Sequence, residues 1–256
     1  MGTKSSSGGR VLSQVVERQM RSWAQRLQTQ QQLALERSTA AVPKLIQPYV
    51  AISRETGANG GELAKRVAER LGWKYLDQEL LDCMAERYNL SRTALEFVDE
   101  TVASWFHEMF GKWLDERLVS QAEYVHRLGR IVLLAAQHES TVFVGRGVQF
   151  ILPRESGLAV RIIAPRKTRV ENIMELRGCG HREAEKYVDE TDRGREQFAQ
   201  RYFHHDTTDP HLYSQVMNLE FMSLDDAADL IAGQCTRRFS AANRLVEPAG
   251  AIWLGT

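Results

Sequence analysis

Apolar residues in this chain follow two rhythms. Short runs of β-branched and aromatic residues, bounded by turn formers, occur at Tyr49-Val50-Ala51-Ile52-Ser53, Thr141-Val142-Phe143-Val144 and Leu158-Ala159-Val160-Arg161-Ile162-Ile163. Each has the length and composition of a buried strand. Trp73-Lys74-Tyr75-Leu76-Asp77 and Val216-Met217-Asn218-Leu219 are weaker candidates of the same kind. Between these runs the apolar spacing changes to three and four residues. Leu63, Val67 and Leu71 predict a helix over Glu62–Leu71 that Gly72 stops. Gln78–Tyr88 and Leu224–Phe239 read as helices, and Lys167–Tyr202 as mostly helical with a break near Gly178 and Gly180. The stretch from Ser91 to Gln137 carries further helical patterns containing Trp105, Phe106, Phe110, Trp113 and Leu118. Strands alternating with helices predict an α/β fold: a parallel sheet with helices on both faces and ligands at the carboxyl ends of the strands.

The first 48 residues are different. After a Ser/Gly-rich leader, Val11 to about Ser38 has no Pro or Gly, and Leu12, Val15, Val16, Met20, Trp23, Leu27, Leu33 and Leu35 recur mostly at helical intervals. One long amphipathic helix is expected. It is a candidate for docking on the main domain, for pairing with a second copy as a homodimer, or for touching an anionic surface, and packing on the core or a dimer partner is the simplest use of its apolar face. Pro43 and Pro48 break it into a linker. The expected organisation is leader, helix and linker over 1–48, a main domain over 49–240 and a tail over 241–256.

Composition narrows the function classes. The 256 residues include 33 Lys plus Arg and 33 Asp plus Glu, with 43% hydrophobic and 8% aromatic content, which is ordinary for a globular protein. Zero net charge argues against a whole-chain nucleic-acid binder, whose affinity would rest on neutralising phosphates. The charge is nevertheless uneven: the first 48 residues hold seven basic and two acidic side chains. Cys83, Cys179 and Cys235 are far apart and show no metal-ligand spacing, which suits a reducing cytoplasm. No apolar run approaches the ~18 residues of a membrane span, so no membrane partner is expected. Gly2 fits an acylation pattern formally, but a disordered leader explains the same residues.

Candidate chemistry concentrates in Ser53-Arg54-Glu55-Thr56-Gly57-Ala58-Asn59-Gly60-Gly61-Glu62, which joins the first predicted strand to the first predicted helix. Glycines there let several backbone N–H groups converge beside the positive end of the helix dipole, an arrangement that favours phosphate. A tight turn with close strand-to-helix packing accounts for the glycines equally well.

With that loop, Tyr75-Leu76-Asp77, Val144-Gly145-Arg146-Gly147, Ala164-Pro165 with Arg169, Asp192-Arg193-Gly194-Arg195, and Asp209-Pro210 through Tyr213 to Asn218 follow in order. Together these segments resemble the cytidylate kinase-like family of P-loop nucleoside monophosphate kinases, over about Tyr49 to Ala232. The resemblance implies a five-stranded parallel sheet with a helical monophosphate-binding insertion (about 90–137) and a lid (about 166–206). It also implies phosphoryl transfer from ATP, with Mg²⁺, to CMP or dCMP. By the same resemblance Arg54, Gly57, Ala58, Asn59, Gly60, Gly61 and Glu62 would hold the donor phosphates. Arg146 would anchor the acceptor phosphate beside Asp77, and Arg169, Arg193 and Arg195 would close over the transferred group.

The chain departs from the pattern where charge matters most. Against a Walker A loop, GxxxxGK[ST], it has Arg54 for the first Gly, Asn59 for the second, Gly60 for the Lys and Gly61 for the hydroxyl residue. Losing one preorganised cation from a phosphoryl-transfer site costs about 10²–10³ in rate. Asn172 likewise stands where a second arginine of the Arg169 helix is expected. Arg54 and Lys65 are candidates to compensate, although a solvated helix surface suits Lys65. Alternative readings are a helix cap for Asp77, a structural ion pair for Arg146, and surface pairs for Arg193 and Arg195. His204-His205-Asp206 with Asp209 and His211 invites a metal, but the spacing matches no standard zinc site and reads as a polar lid segment, so no metal site is expected. A nucleotide-binding regulatory module with impaired catalysis is the alternative function.

Overall fold

The computed structural model describes residues 46–87 and 119–244, together with Val16, Arg18, Gln19 and Ser22. The chain order is β1 (Tyr49–Arg54), α1 (Gly60–Leu71), β2 (Lys74–Leu76), α2 (Gln78–Arg87), α3 (Val119–His138), β3 (Thr141–Val144) and α4 (Val148–Ile151), then β4 (Gly157–Ile163), α5 (Arg166–Arg177), α6 (His181–Phe203), β5 (Gln215–Asn218) and α7 (Leu224–Arg244). The five strands form one sheet in the order β2-β3-β1-β4-β5. Every neighbouring pair is parallel, with Ile52 opposite Val144 on one side and Val160 on the other. The expected five-stranded parallel α/β fold is therefore present.

Strand alternation divides the core in two. Tyr49, Ala51, Leu76 and Phe143 face α2, α3 and α4, with Leu81, Met84, Leu128 and Ile131 packed on them. Val50, Ile52, Val142, Val144, Leu158, Val160 and Ile162 face α1 and α7, where Leu63, Val67, Ala228 and Ile231 meet them. Both faces are apolar because a parallel sheet is covered twice. A third, smaller cluster, Val170, Ile173, Ala184 and Val188, joins α5 to α6.

Local chemistry sets the boundaries. Gly72 takes a left-handed φ of 64° at the end of α1, and its N–H bonds the Ala68 and Glu69 carbonyls. Gly178, at φ 63°, ends α5 in the same way. Most of the expected N-terminal helix, the 91–118 stretch and the tail after Arg244 lie outside the described residues. Within the leading segment, Val16 is fully buried in the core on the α3 side and Gln19 Nε2 donates to Glu139 Oε1 at 2.9 Å. Among the described residues, no helix is long and apolar enough to cross a membrane.

Candidate functional site

β1 lies where the strand order reverses, with β3 on one side and β4 on the other. Segments leaving the ends of these strands diverge, and a crevice opens between them. A cavity of about 900 Å³ occupies this place, lined by Arg54, Gly57, Asn59, Gly60, Gly61, Glu62, Asp77, Arg146, Arg161 and Arg195 among others. That volume suits a ligand of nucleotide size.

The loop between β1 and α1 forms one wall. Gly57 has φ +80° and lies so close to α5 that a Cβ would overlap the Arg169 carbonyl oxygen. Asn59 caps α1 in the left-handed region, at φ 56° and ψ 19°, a conformation Asn tolerates better than most residues. Leu63 is the first residue whose N–H bonds within the helix, to the Asn59 carbonyl at 3.0 Å. Helix geometry therefore leaves the N–H groups of Gly60, Gly61 and Glu62 without an intrahelical acceptor, beside the positive end of the dipole. Ala58, expected among the phosphate contacts, is only 1% exposed and packs in the core. Its contribution is to seat the loop, with its N–H on the Glu55 carbonyl at 3.3 Å.

Helices α5 and α6 meet this loop through charge. Thr56 donates both its N–H and its Oγ1 to Asp192 Oδ1, at 2.8 and 2.7 Å. Arg169 Nη1 donates to Asp192 Oδ2 at 2.6 Å and to the Thr56 carbonyl at 3.2 Å, while its Nε reaches the Ala164 carbonyl at 3.0 Å. Asn172 Nδ2 donates to the Gly57 carbonyl at 2.8 Å. Arg195 Nη1 bonds the Arg54 carbonyl and Thr56 Oγ1, at 3.1 and 2.8 Å. Its Nε is buried and has no partner among the described residues. Burial and the positive charges of Arg146 and Arg161 hold the Arg195 guanidinium below its ordinary value against the pull of Asp192.

These contacts change two expectations. Arg169 does not line the cavity; its donors hold the loop to α5 and α6. Arg193 is exposed and also outside the lining. Consecutive helical residues point in different directions, so Arg193 and Arg195, two apart, cannot share a face.

Arg146 leaves β3 in a run of three left-handed residues, with φ 80° at Gly145, 57° at Arg146 and 67° at Gly147. This turn aims its guanidinium at α2, where Nε meets Asp82 Oδ1 at 2.7 Å and Nη2 completes a fork on Oδ2. Tyr124 donates to the same Asp82 Oδ1 at 2.6 Å, and the guanidinium carbon lies 5.2 Å from the Phe198 ring centre. Burial works against the charge on Arg146, but Asp82 and Tyr124 outweigh it and raise the group above its ordinary value. Asp77 lines the cavity and also caps α2, accepting from the Leu80 N–H at 2.9 Å. Tyr75, in the middle of β2, has its hydroxyl pushed up to about 12, first by burial and then by Asp77.

Arg161 is the site residue that sequence reasoning missed. It is 8% exposed, projects from β4 on the face opposite Val160 and Ile162, and reaches Ser53 Oγ at 3.3 Å beneath the cavity. The signal lay in one charged position within an otherwise apolar strand, which is costly unless the charge has work to do.

Residues 49–220 match the model of the cytidylate kinase-like family. No functionally curated protein matches the chain. Among solved structures, the chain is similar to an uncharacterized protein from Eubacterium ventriosum, at 22% identity and a TM-score of 0.60, covering 75% of this chain and 99% of that one. A looser likeness joins it to a shikimate kinase from Acinetobacter baumannii in complex with shikimate, at 15% identity and a TM-score of 0.40, covering 78% and 96%.

Proposed function

The chain belongs to the cytidylate kinase-like family, and from that premise we propose that it transfers the γ-phosphoryl group of ATP to a pyrimidine nucleoside monophosphate, CMP or dCMP. One observation carries the reading: the free amides at the start of α1 and the guanidiniums of Arg54, Arg146, Arg161 and Arg195 border a single cavity at the carboxyl edge of the sheet. Phosphoryl transfer needs little from a protein beyond such positioning and positive charge.

In this account an acceptor phosphate oxygen attacks the γ-phosphorus, the bond to the β,γ-bridging oxygen breaks, and ADP leaves as the nucleoside diphosphate forms. Amides from Gly57 and from Asn59 to Glu62 hold the donor phosphates. Arg146 anchors the acceptor phosphate, sharing its fork with Asp82, and Asp77 orients the acceptor. Arg195 closes from the lid, residues 166–206, while Arg169 works indirectly by holding the loop in shape. The segment around 90–137 is the monophosphate-binding insertion, and the cytoplasm is the setting.

Mg²⁺ fits as company to the nucleotide more than as a resident ion. Gly61 offers no hydroxyl ligand, and among the described residues no three His, Cys, Asp or Glu side chains group to hold a metal. Mg²⁺ commonly binds through substrate phosphates and water, and when present it would neutralise charge on the donor.

One observation favours a second reading, a nucleotide-binding regulatory module: Arg169 and Arg195 are engaged with the loop's own oxygens and with Asp192. Calorimetry with ATP, paired with a turnover assay across the nucleoside monophosphates, separates the two. Turnover with CMP or dCMP supports the kinase, and tight ATP binding without turnover for any acceptor supports the module.

A further inference from the structure

The loop lacks its lysine, yet a cation lies in the neighbourhood that lysine would serve. We propose that Arg54, from the end of β1, supplies the positive charge for the transferred phosphoryl group, and that Gly60 is a glycine because the Arg54 side chain runs past it to end beside Gly145. This inference rests on the proposed function and assigns the residue on which its donor site depends.

Three observations support it. The first is space. A Cβ on Gly60 would come within 2.6 Å of Arg54 Cβ and 3.0 Å of its Cγ, and a Cβ on Gly145 would overlap Arg54 Nη1. Gly60 is the position where the usual loop carries lysine, so the volume beside the start of α1 is taken by an arginine arriving from the strand.

The second is direction. Arg54 lines the cavity, and its Nη2 reaches Gln78 Oε1 at 3.3 Å at the start of α2. Its guanidinium thus bridges from the loop wall toward Asp77 and Gln78 on the acceptor side, which is where the phosphoryl group must cross.

The third is missing compensation. Among the described residues Arg54 makes no ion pair, and its side-chain partner is the neutral amide of Gln78. Arg146 has Asp82, and Arg169 has Asp192 and Glu55. Burial first, and then the positive charges of Arg195 and Arg146, push the Arg54 guanidinium down to about 9. Tyr75 and Asp77 offset this only in part, and a half-buried cation beside two others, facing a cavity, is poorly placed until an anion arrives.

The test uses the full chain with ATP, AMP and inorganic tripolyphosphate, read by calorimetry and by melting temperature. Arg54→Met keeps the length of the side chain and removes its charge. Expected are ATP and tripolyphosphate affinities about 10–100-fold weaker, the loss of a charge-assisted contact, with AMP affinity little changed and the unliganded melting temperature equal or higher. Arg54→Lys should retain more of the tripolyphosphate affinity than Arg54→Met. Gly60→Lys, which restores the usual loop lysine, should weaken ATP binding because its Cβ displaces Arg54. Unchanged ATP affinity in Arg54→Met, or tighter binding in Gly60→Lys, would overturn the proposal. So would a melting temperature that falls while ATP and AMP weaken alike, which would mark Arg54 as structural. Failure of the wild type to bind ATP or tripolyphosphate would instead remove the donor site itself.

Discussion

Asp192 holds three groups at once: the Thr56 amide, the Thr56 hydroxyl and the Arg169 guanidinium. Such contacts explain why the loop tolerates so few side chains. Gly57→Ala must adopt φ near +80° and also press on the Arg169 carbonyl, so a destabilisation of about 1–3 kcal/mol is expected, measured as a lower denaturation midpoint. Arg146→Ala acts differently. Asp82 keeps its bond from Tyr124, so the fold should persist, while transfer to the acceptor falls about 10²–10³-fold. Steady-state kinetics with CMP or dCMP would show the loss, and retention of wild-type kcat/KM would remove Arg146 from the acceptor site.

Helix α6 is fastened by its middle. Asp192 and Arg195 are three residues apart, hence on one face, and both reach the loop. Asp192→Asn retains the size of the side chain and removes the charge opposing Arg169, so the docking of α6 should weaken by about 1.5–3 kcal/mol. Faster amide hydrogen exchange at Thr56 and through α6 would record it, and unchanged exchange would show that α6 is held by its apolar contacts alone. Much of this element plan was legible beforehand. β1, β3 and β4 announced themselves as dense apolar runs, and the break at Gly178 to Gly180 marked where α5 ends and α6 begins. The four-residue α4, Val148–Ile151, was not legible, because one helical turn between Gly147 and Pro153 has no room to show a period. The loop's glycines and Arg146 could be located from sequence, but Asp82 lies 64 residues from Arg146, and Asp192 lies 136 from Thr56. Pairings of that range are products of the folded topology, which no local pattern encodes.

Across the whole molecule, the balance of charge recurs at the cavity, whose lining mixes arginines with the carboxylates of Glu55, Glu62, Asp77, Glu79, Asp192 and Glu196. Arg54, Arg146, Arg161 and Arg195 share one cavity, and the influence of Arg146 and Arg195 on Arg54 is repulsive. Because burial and the charges of Arg195 and Arg146 work against the Arg54 guanidinium, the group disfavours the unliganded fold, and an anion in the cavity would relieve it. Arg54→Met should therefore melt at an equal or higher temperature without ligand and show a smaller rise in melting temperature with ATP, and the wild-type rise should shrink as salt screens the charges. Scanning calorimetry over a salt series would test this, and an ATP-induced shift equal in the variant and the wild type would contradict it.

Phosphoryl transfer is tested most directly by ADP formation by the purified chain from ATP and Mg²⁺ with each nucleoside monophosphate in turn, beside Arg146→Ala. The expected result is turnover that depends on the acceptor, is greatest with CMP or dCMP and is lost in the variant. No turnover above a buffer blank with any acceptor, or equal turnover in Arg146→Ala, would contradict it.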